Sequence, residues 1–273
     1  MPAWNRRQFV QACLGAFAAL QVSRVRALPD GRSACRLSAE QTEGPYYLDR
    51  ALLRQDITEG KPGLPLSLQF EVLDARTCRP LAGAALEIWH CDAQGAYSGF
   101  GGMGGPGMPP PLGPPPGDAP HGPPPRGDRS PGGHPPMSHP TDQLTFLRGV
   151  QIANARGHVT FRSIFPGYYA GRCNHIHLKL HVGGQTADGH YRGGHTVHTG
   201  QLFFTEADSL AAMVLPAYQR HGLERMTLER DNVYTTQHGE QSIATLMPTN
   251  GDVPRIARLT LAIDPTQQSR EGS

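Results

Sequence analysis

Residues 101–140 carry 15 prolines and 11 glycines in 40 positions. Proline withdraws a ladder donor, glycine withdraws side-chain burial, and the stretch has almost no aliphatic residues. It therefore neither extends a sheet nor fills a core. The fold must be assembled from the two flanks and must tolerate a long excursion between them. Because both flanks are well patterned, residues 101–140 read as a disordered Pro/Gly-rich insertion inside one domain, 28–273, and not as a linker between two. The tripled prolines also suit local polyproline II, the form that docks onto aromatic grooves.

The flanks consist of short alternating runs. Residues 66–72 and 85–90 alternate apolar with polar side chains, and 149–152, 158–164, 175–182, 201–204 and 257–263 repeat the theme. About seven such strands with turn-rich joins predict an all-β fold, a β-sandwich of mixed or antiparallel sheets with a few short helices. One segment, 207–221, spaces Leu210, Met213, Val214 and Tyr218 like one face of a helix. Neither an internal repeat nor a Gly-rich nucleotide fingerprint stands out, which argues against phosphate-handling chemistry.

The N-terminus reads differently. Asn5-Arg6-Arg7-Gln8-Phe9-Val10 precedes an apolar run, 12–20, which resembles a twin-arginine export signal and is too short to span a bilayer. Residues 1–27 are thus expected to export the chain to the periplasm or beyond, with no stable membrane anchor. Loss of this segment leaves Cys35, Cys78, Cys91 and Cys173, an even number that suits two disulfides in an oxidising compartment, with the pairing open. A four-cysteine zinc site would need a CxxC spacing that the chain lacks. With 25 basic and 23 acidic residues, the balance excludes a nucleic-acid groove or polybasic patch and favours a small partner; it leaves the oligomeric state open.

His175-Ile176-His177 falls in a predicted strand, so the two imidazoles share a face with Cα atoms about 6.6 Å apart and can converge on one ion. His181 shares that face but lies too far along it. His190, His195 and His198 fall in the Gly-rich stretch 183–200 and read as solvent-facing. No acidic residue lies between Gly167 and Thr186, so the nearby oxygen donors are the phenols of Tyr168 and Tyr169. Tyrosinate is a hard anionic donor suited to Fe(III).

These residues carry a resemblance. Pro166-Gly167-Tyr168-Tyr169, Gly171-Arg172 and His175-Ile176-His177 resemble the iron-site motif of the intradiol ring-cleavage dioxygenases, which include the catechol and protocatechuate dioxygenases. Gln41-Thr42-Glu43-Gly44-Pro45-Tyr46-Tyr47, the run from Ile88-Trp89-His90 to Tyr97-Ser98-Gly99, and Thr199-Gly200-Gln201-Leu202-Phe203-Phe204 follow in the family's order. The TEGPYY form is similar to the secreted branch.

The resemblance implies one Fe(III) per chain, held by Tyr97, Tyr169, His175 and His177, with Tyr169 also acting as a base. It implies that Arg172 and Gln201 stabilise charge on the ring, with Tyr46, Tyr47, Trp89 and Gly99 as pocket-wall candidates. The implied reaction cleaves a catechol-type aromatic diol with O2 to a muconate-type dicarboxylic acid. The alternative is an exported sandwich that binds metal or ligand without turnover.

Overall fold

Alternation organises the chain around one strand. In β1 (Pro65–Asp74) Leu66, Leu68, Phe70 and Val72 turn inward while Ser67, Gln69 and Glu71 face out. The computed structural model describes residues 35–101, 138–219, 223–247 and 254–270. After β1 come β2 (Arg79–Pro80), β3 (Ala85–Trp89), β4 (Arg148–Ile152), β5 (His158–Ile164), β6 (His175–Val182), β7 (Gln185–Ala187), β8 (His190–Arg192) and β9 (His195–Phe203). Helices α1 (Glu206–Met213) and α2 (Asn232–Thr236) precede β10 (Thr245–Met247) and β11 (Arg255–Ile263).

Two sheets form the sandwich. In the first, β1 runs parallel to β11 and antiparallel to β5 and the short β2, with β10 on the outer edge of β11. The second is antiparallel in the order β4-β3-β6-β9, and β7 and β8 make a separate hairpin. Leu68, Phe70 and Phe161 from the first sheet meet Ile88, Ile176, Leu178 and Leu202 from the second in one core. Each such side chain contributes about 1.5–3 kcal/mol on burial. The core also fixes the register of β6: a slip of one residue would exchange Ile176 and Leu178 for His175 and His177.

The helix expected over 207–221 is shorter. α1 has eight residues, buries Ser209 and Ala212, and leaves Leu210 and Val214 exposed. Pro216 has no amide hydrogen and disfavours helical backbone at Leu215, so the periodicity runs on where the helix does not. Tyr218 is buried beyond the helix, accepting from Leu64 N (2.9 Å) and donating to Phe165 O (2.7 Å).

Cysteine usage also differs from expectation. Cys35 and Cys78 form a disulfide, whereas Cys91 and Cys173 are buried thiols. Cys91 packs with Tyr46, Trp89 and Tyr97, and Cys173 packs in a separate cluster with Phe203, Leu228 and Val233. His198, expected in solvent, is buried within β9, because strand alternation puts it on the face of Leu202. His195 is exposed and His190 half-buried.

The expected export segment, 1–27, and most of the insertion, 102–137, lie outside the described residues. Hydrogen bonds tie the two ends of the insertion together. The Asp142 carboxylate accepts from Gly99 N (2.9 Å) and Gly101 N (2.8 Å), and Thr141 N donates to Gly99 O (2.7 Å). The chain thus leaves and returns at one point, four residues after Tyr97. Among the described residues no helix is long and apolar enough to cross a membrane.

Candidate metal centre

The site forms on the outer face of the second sheet. Strand register places Arg148 of β4, Trp89 of β3, His177 of β6 and Gln201 of β9 in one row, with His175 one step along β6. Residues 41–47 lie over this face. Gln41 N donates to Thr199 O (3.1 Å), and Glu43 pairs with Lys179 (2.7 Å).

Two turns deliver the tyrosines. After β3, the Asp92 carboxylate accepts from Gln94 N (2.9 Å) and Ala96 N (3.0 Å), and Gly95 takes a φ of +84°. This asparate-capped turn swings Tyr97 back until its ring centroid lies 6.2 Å from that of His177. Before β6, Asn174 Nδ2 ties down the carbonyls of Pro166 and Gly167 (3.0 Å each). Tyr168 then points away, donating to Leu223 O (2.8 Å), while the Tyr169 ring lies 5.5 Å from His175 and 5.7 Å from Tyr97.

The two imidazoles meet edge to edge. His175 Nδ1 bonds Cys173 O (2.7 Å), which puts its proton there and leaves a lone pair on Nε2. The Nε2 atoms of His175 and His177 are 3.1 Å apart. Two nitrogens bound at right angles, each about 2.1 Å from one ion, would be about 3.0 Å apart. Burial and the Arg172 charge push His175 down to about 3, and burial and His175 push His177 well below the usual range, so both rings are neutral donors. Burial raises the Tyr97 and Tyr169 phenols. The Tyr97 hydroxyl is buried with no hydrogen-bond partner among the described residues. Such an orphaned oxygen costs about 1–3 kcal/mol, which a cation would relieve. Also among the described residues, no three His, Cys, Asp or Glu converge on a metal position, so the oxygens beside the pair are phenolic. Two neutral imidazoles and two buried phenols fit a hard trivalent cation such as Fe(III).

Arg172 lies at the edge of this cluster. Its Nη1 is 3.4 Å from both Tyr169 Oη and His175 Nε2, and its Nη2 donates to Gln201 Oε1 (2.5 Å). Gln201 Nε2 donates to Thr42 O (2.8 Å), so both ends of the amide are engaged.

The pocket candidates divide. Tyr46 stands among the donors, stacked on Tyr97 (4.4 Å) and edge-on to Tyr169 (5.4 Å). Trp89 lies flat on His177, with centroids 5.0 Å apart and planes 6° apart. Tyr47 turns the other way, toward Trp89 and the Glu87 carboxylate (3.3 Å), which also takes His181 (3.2 Å). Gly99 serves the base of the insertion, at a φ of +86°. Sequence reasoning missed three residues here. Arg148 is a buried cation bonded to Ser98 (2.8 Å) beside the Tyr97 ring. Asp231 grips Arg172 Nε (2.9 Å), and Gly44 lies against His177. Gly44 stood within a quoted motif; the other two carried no recognisable spacing.

A β-sandwich that gathers two histidines and two tyrosines at one point of its outer face offers a donor set that a single metal ion would fit. A dioxygenase family model matches residues 42–106. An intradiol ring-cleavage dioxygenase from Tetranychus urticae is 32% identical, with a TM-score of 0.67, over 86% of this chain and 98% of that one. A second dioxygenase structure is 33% identical over the same shares, with a TM-score of 0.66. The 3-chlorocatechol 1,2-dioxygenase of Rhodococcus opacus 1CP shares the fold at 17% identity and a TM-score of 0.51, over 84% of this chain and 73% of that one. No curated protein matches the chain. The chain belongs to the intradiol ring-cleavage dioxygenase family, and it is an enzyme of that class.

Proposed function

We propose that this enzyme cleaves a catechol-type aromatic diol between its two hydroxyl-bearing carbons, consuming O2 and releasing a muconate-type dicarboxylic acid. Tyr97, Tyr169, His175 and His177 would hold one Fe(III). The observation that carries this reading is the 3.1 Å approach of two imidazole Nε2 atoms beside the buried hydroxyl of Tyr97, which has no hydrogen-bond partner among the described residues. Ferric iron, when bound, supplies Lewis acidity that favours the phenolate and diolate forms and draws electron density from the diolate toward reaction with O2.

The chain's own residues do the rest. In the phenolate form that a bound ferric ion would favour, Tyr169 Oη would take a proton from the incoming diol and become the phenol, and the Arg172 guanidinium 3.4 Å away offsets negative charge on the ring. Gln201 holds Arg172 in place, while Tyr46 and Trp89 supply apolar walls that exclude water. Export by residues 1–27, as in a secreted branch of the family, belongs to the same proposal. The Cys35–Cys78 disulfide supports it, since such bonds persist in oxidising compartments.

The test is oxygen uptake by the iron-loaded protein with catechol, protocatechuate and hydroxyquinol, with product absorbance followed in parallel. A red-brown protein that consumes O2 with one of these diols is expected. A colourless protein with stoichiometric zinc would sink the iron assignment, and an iron-loaded protein inert toward every diol would favour binding without turnover.

A further inference from the structure

Asp231 is fully buried and belongs to neither sheet. Its two oxygens divide their work. Oδ1 accepts from Val233 N (2.9 Å) and Tyr234 N (3.2 Å), which caps α2. Oδ2 accepts from Cys173 N (2.9 Å) and from Arg172 Nε (2.9 Å). A cap needs only one side-chain oxygen, and asparagine or serine would supply it. The second oxygen, turned to Arg172, requires a carboxylate, because an amide nitrogen there would oppose two N–H donors.

We propose that Asp231 is a positioning residue of the site: its Oδ2 and Gln201 Oε1 grip the Arg172 guanidinium at Nε and Nη2, so that Nη1 is the corner presented to a bound diolate. This rests on Arg172 facing the substrate, as proposed above. Without Asp231 the guanidinium loses its hold at Nε and keeps only Gln201 at Nη2 and the long 3.4 Å contacts of Nη1 with Tyr169 and His175, so it can turn about its terminal torsions. The carboxylate also makes a buried guanidinium tolerable. Burial opposes ionisation of Asp231, yet Arg172 and the amide donors outweigh it and hold its carboxyl down at about 2.

The experiment uses the iron-loaded protein and titrates it with 4-nitrocatechol under argon. Compared are the parent, Asp231→Asn, Asp231→Ser, Arg172→Gln and the double variant Asp231→Asn/Arg172→Gln, with thermal midpoint and the resting tyrosinate charge-transfer band as controls. Asp231→Asn should keep the band, since no ligand has changed, and weaken 4-nitrocatechol at least tenfold. The double variant should bind no more weakly than Arg172→Gln alone, because Asp231 acts through that residue. Parent-like binding by Asp231→Asn, or losses that multiply in the double variant, would overturn the proposal. So would failure of both Asp231 variants to fold when Arg172→Gln folds, since Asp231 would then serve the fold. A colourless parent, or one that does not bind 4-nitrocatechol, defeats the metal reading itself, which separates the two failures.

Discussion

Replacing Gly44 with alanine adds one methyl group at a point where the structure has no room for it. Gly44 sits at a φ of +76°, and a Cβ there would lie 2.8 Å from His177 Cε1 and 3.4 Å from its Nε2. Ordinary carbon–carbon contact begins near 3.5 Å, so the ring or the loop must retreat by roughly 0.5 Å or more. The ring cannot retreat freely, because it is buried and stacked on Trp89. The backbone conformation alone costs alanine about 1–2 kcal/mol. Overpacking adds about 1–3 kcal/mol, for a total of about 2–5 kcal/mol.

Gly83 provides the control. It has nearly the same φ, +79°, but among the described residues nothing lies within 4 Å of its added Cβ, so Gly83→Ala should pay only the backbone cost. Urea unfolding of the two variants at unchanged m value should therefore separate them by about 1–3 kcal/mol, with Gly44→Ala the less stable. The iron-loaded Gly44→Ala protein should also show a shifted tyrosinate band or reduced iron content, and Gly83→Ala neither. Equal destabilisation of the two variants, with identical spectra, would refute the claim that Gly44 braces His177.

Tyr97→Phe should have opposite effects on the two forms of the protein. The metal-free variant loses only a buried hydroxyl with no partner among the described residues, so its unfolding midpoint should match or exceed the parent's, while the iron-loaded charge-transfer band should be weakened or lost. Acid should destabilise the metal-free fold through His90 and His198, which burial pushes down to about 4 from the ordinary 6.5. The unfolded chain binds these protons first, so this stability is complete above pH 6.5, falls as the pH drops toward 4, and amounts to about 3 kcal/mol apiece. Urea midpoints that stay flat between pH 7 and 4.5 would contradict it.

Much of the fold was legible because its strands are buried on alternate sides. Residues 158–164 and 175–182 coincide with β5 and β6: one-face burial forces period-two patterning in β5, while β6 is buried on both faces and alternates the core residues Ile176, Leu178 and Leu180 with the polar His175, His177 and Lys179. The helical reading of 207–221 found α1 but overran its C-terminal end, because it followed apolar periodicity past Pro216. Resemblance to known motifs pointed to the Tyr97, Tyr169, His175 and His177 cluster, and the structure brings these four side chains together. Adjacency did not reveal direction. Tyr46 and Tyr47 are neighbours in sequence, yet one enters the cluster and the other joins Glu87. Asp231 escaped notice for another reason. Its bond to Arg172 spans 59 residues and comes from irregular backbone, where no spacing rule applies.

The clasp that Asp142 makes with Gly99 and Gly101 has a practical consequence. A loop closed at its base by the folded domain costs only about 0.6 kcal/mol more for each doubling of its length. Closure entropy alone would therefore let sequence be added or removed between the two ends, and the turn that carries Tyr97 is expected to persist. The position is expected to serve as a cassette, where an affinity tag, a fluorophore or a whole reporter domain could be installed beside the site with Tyr97 still in place.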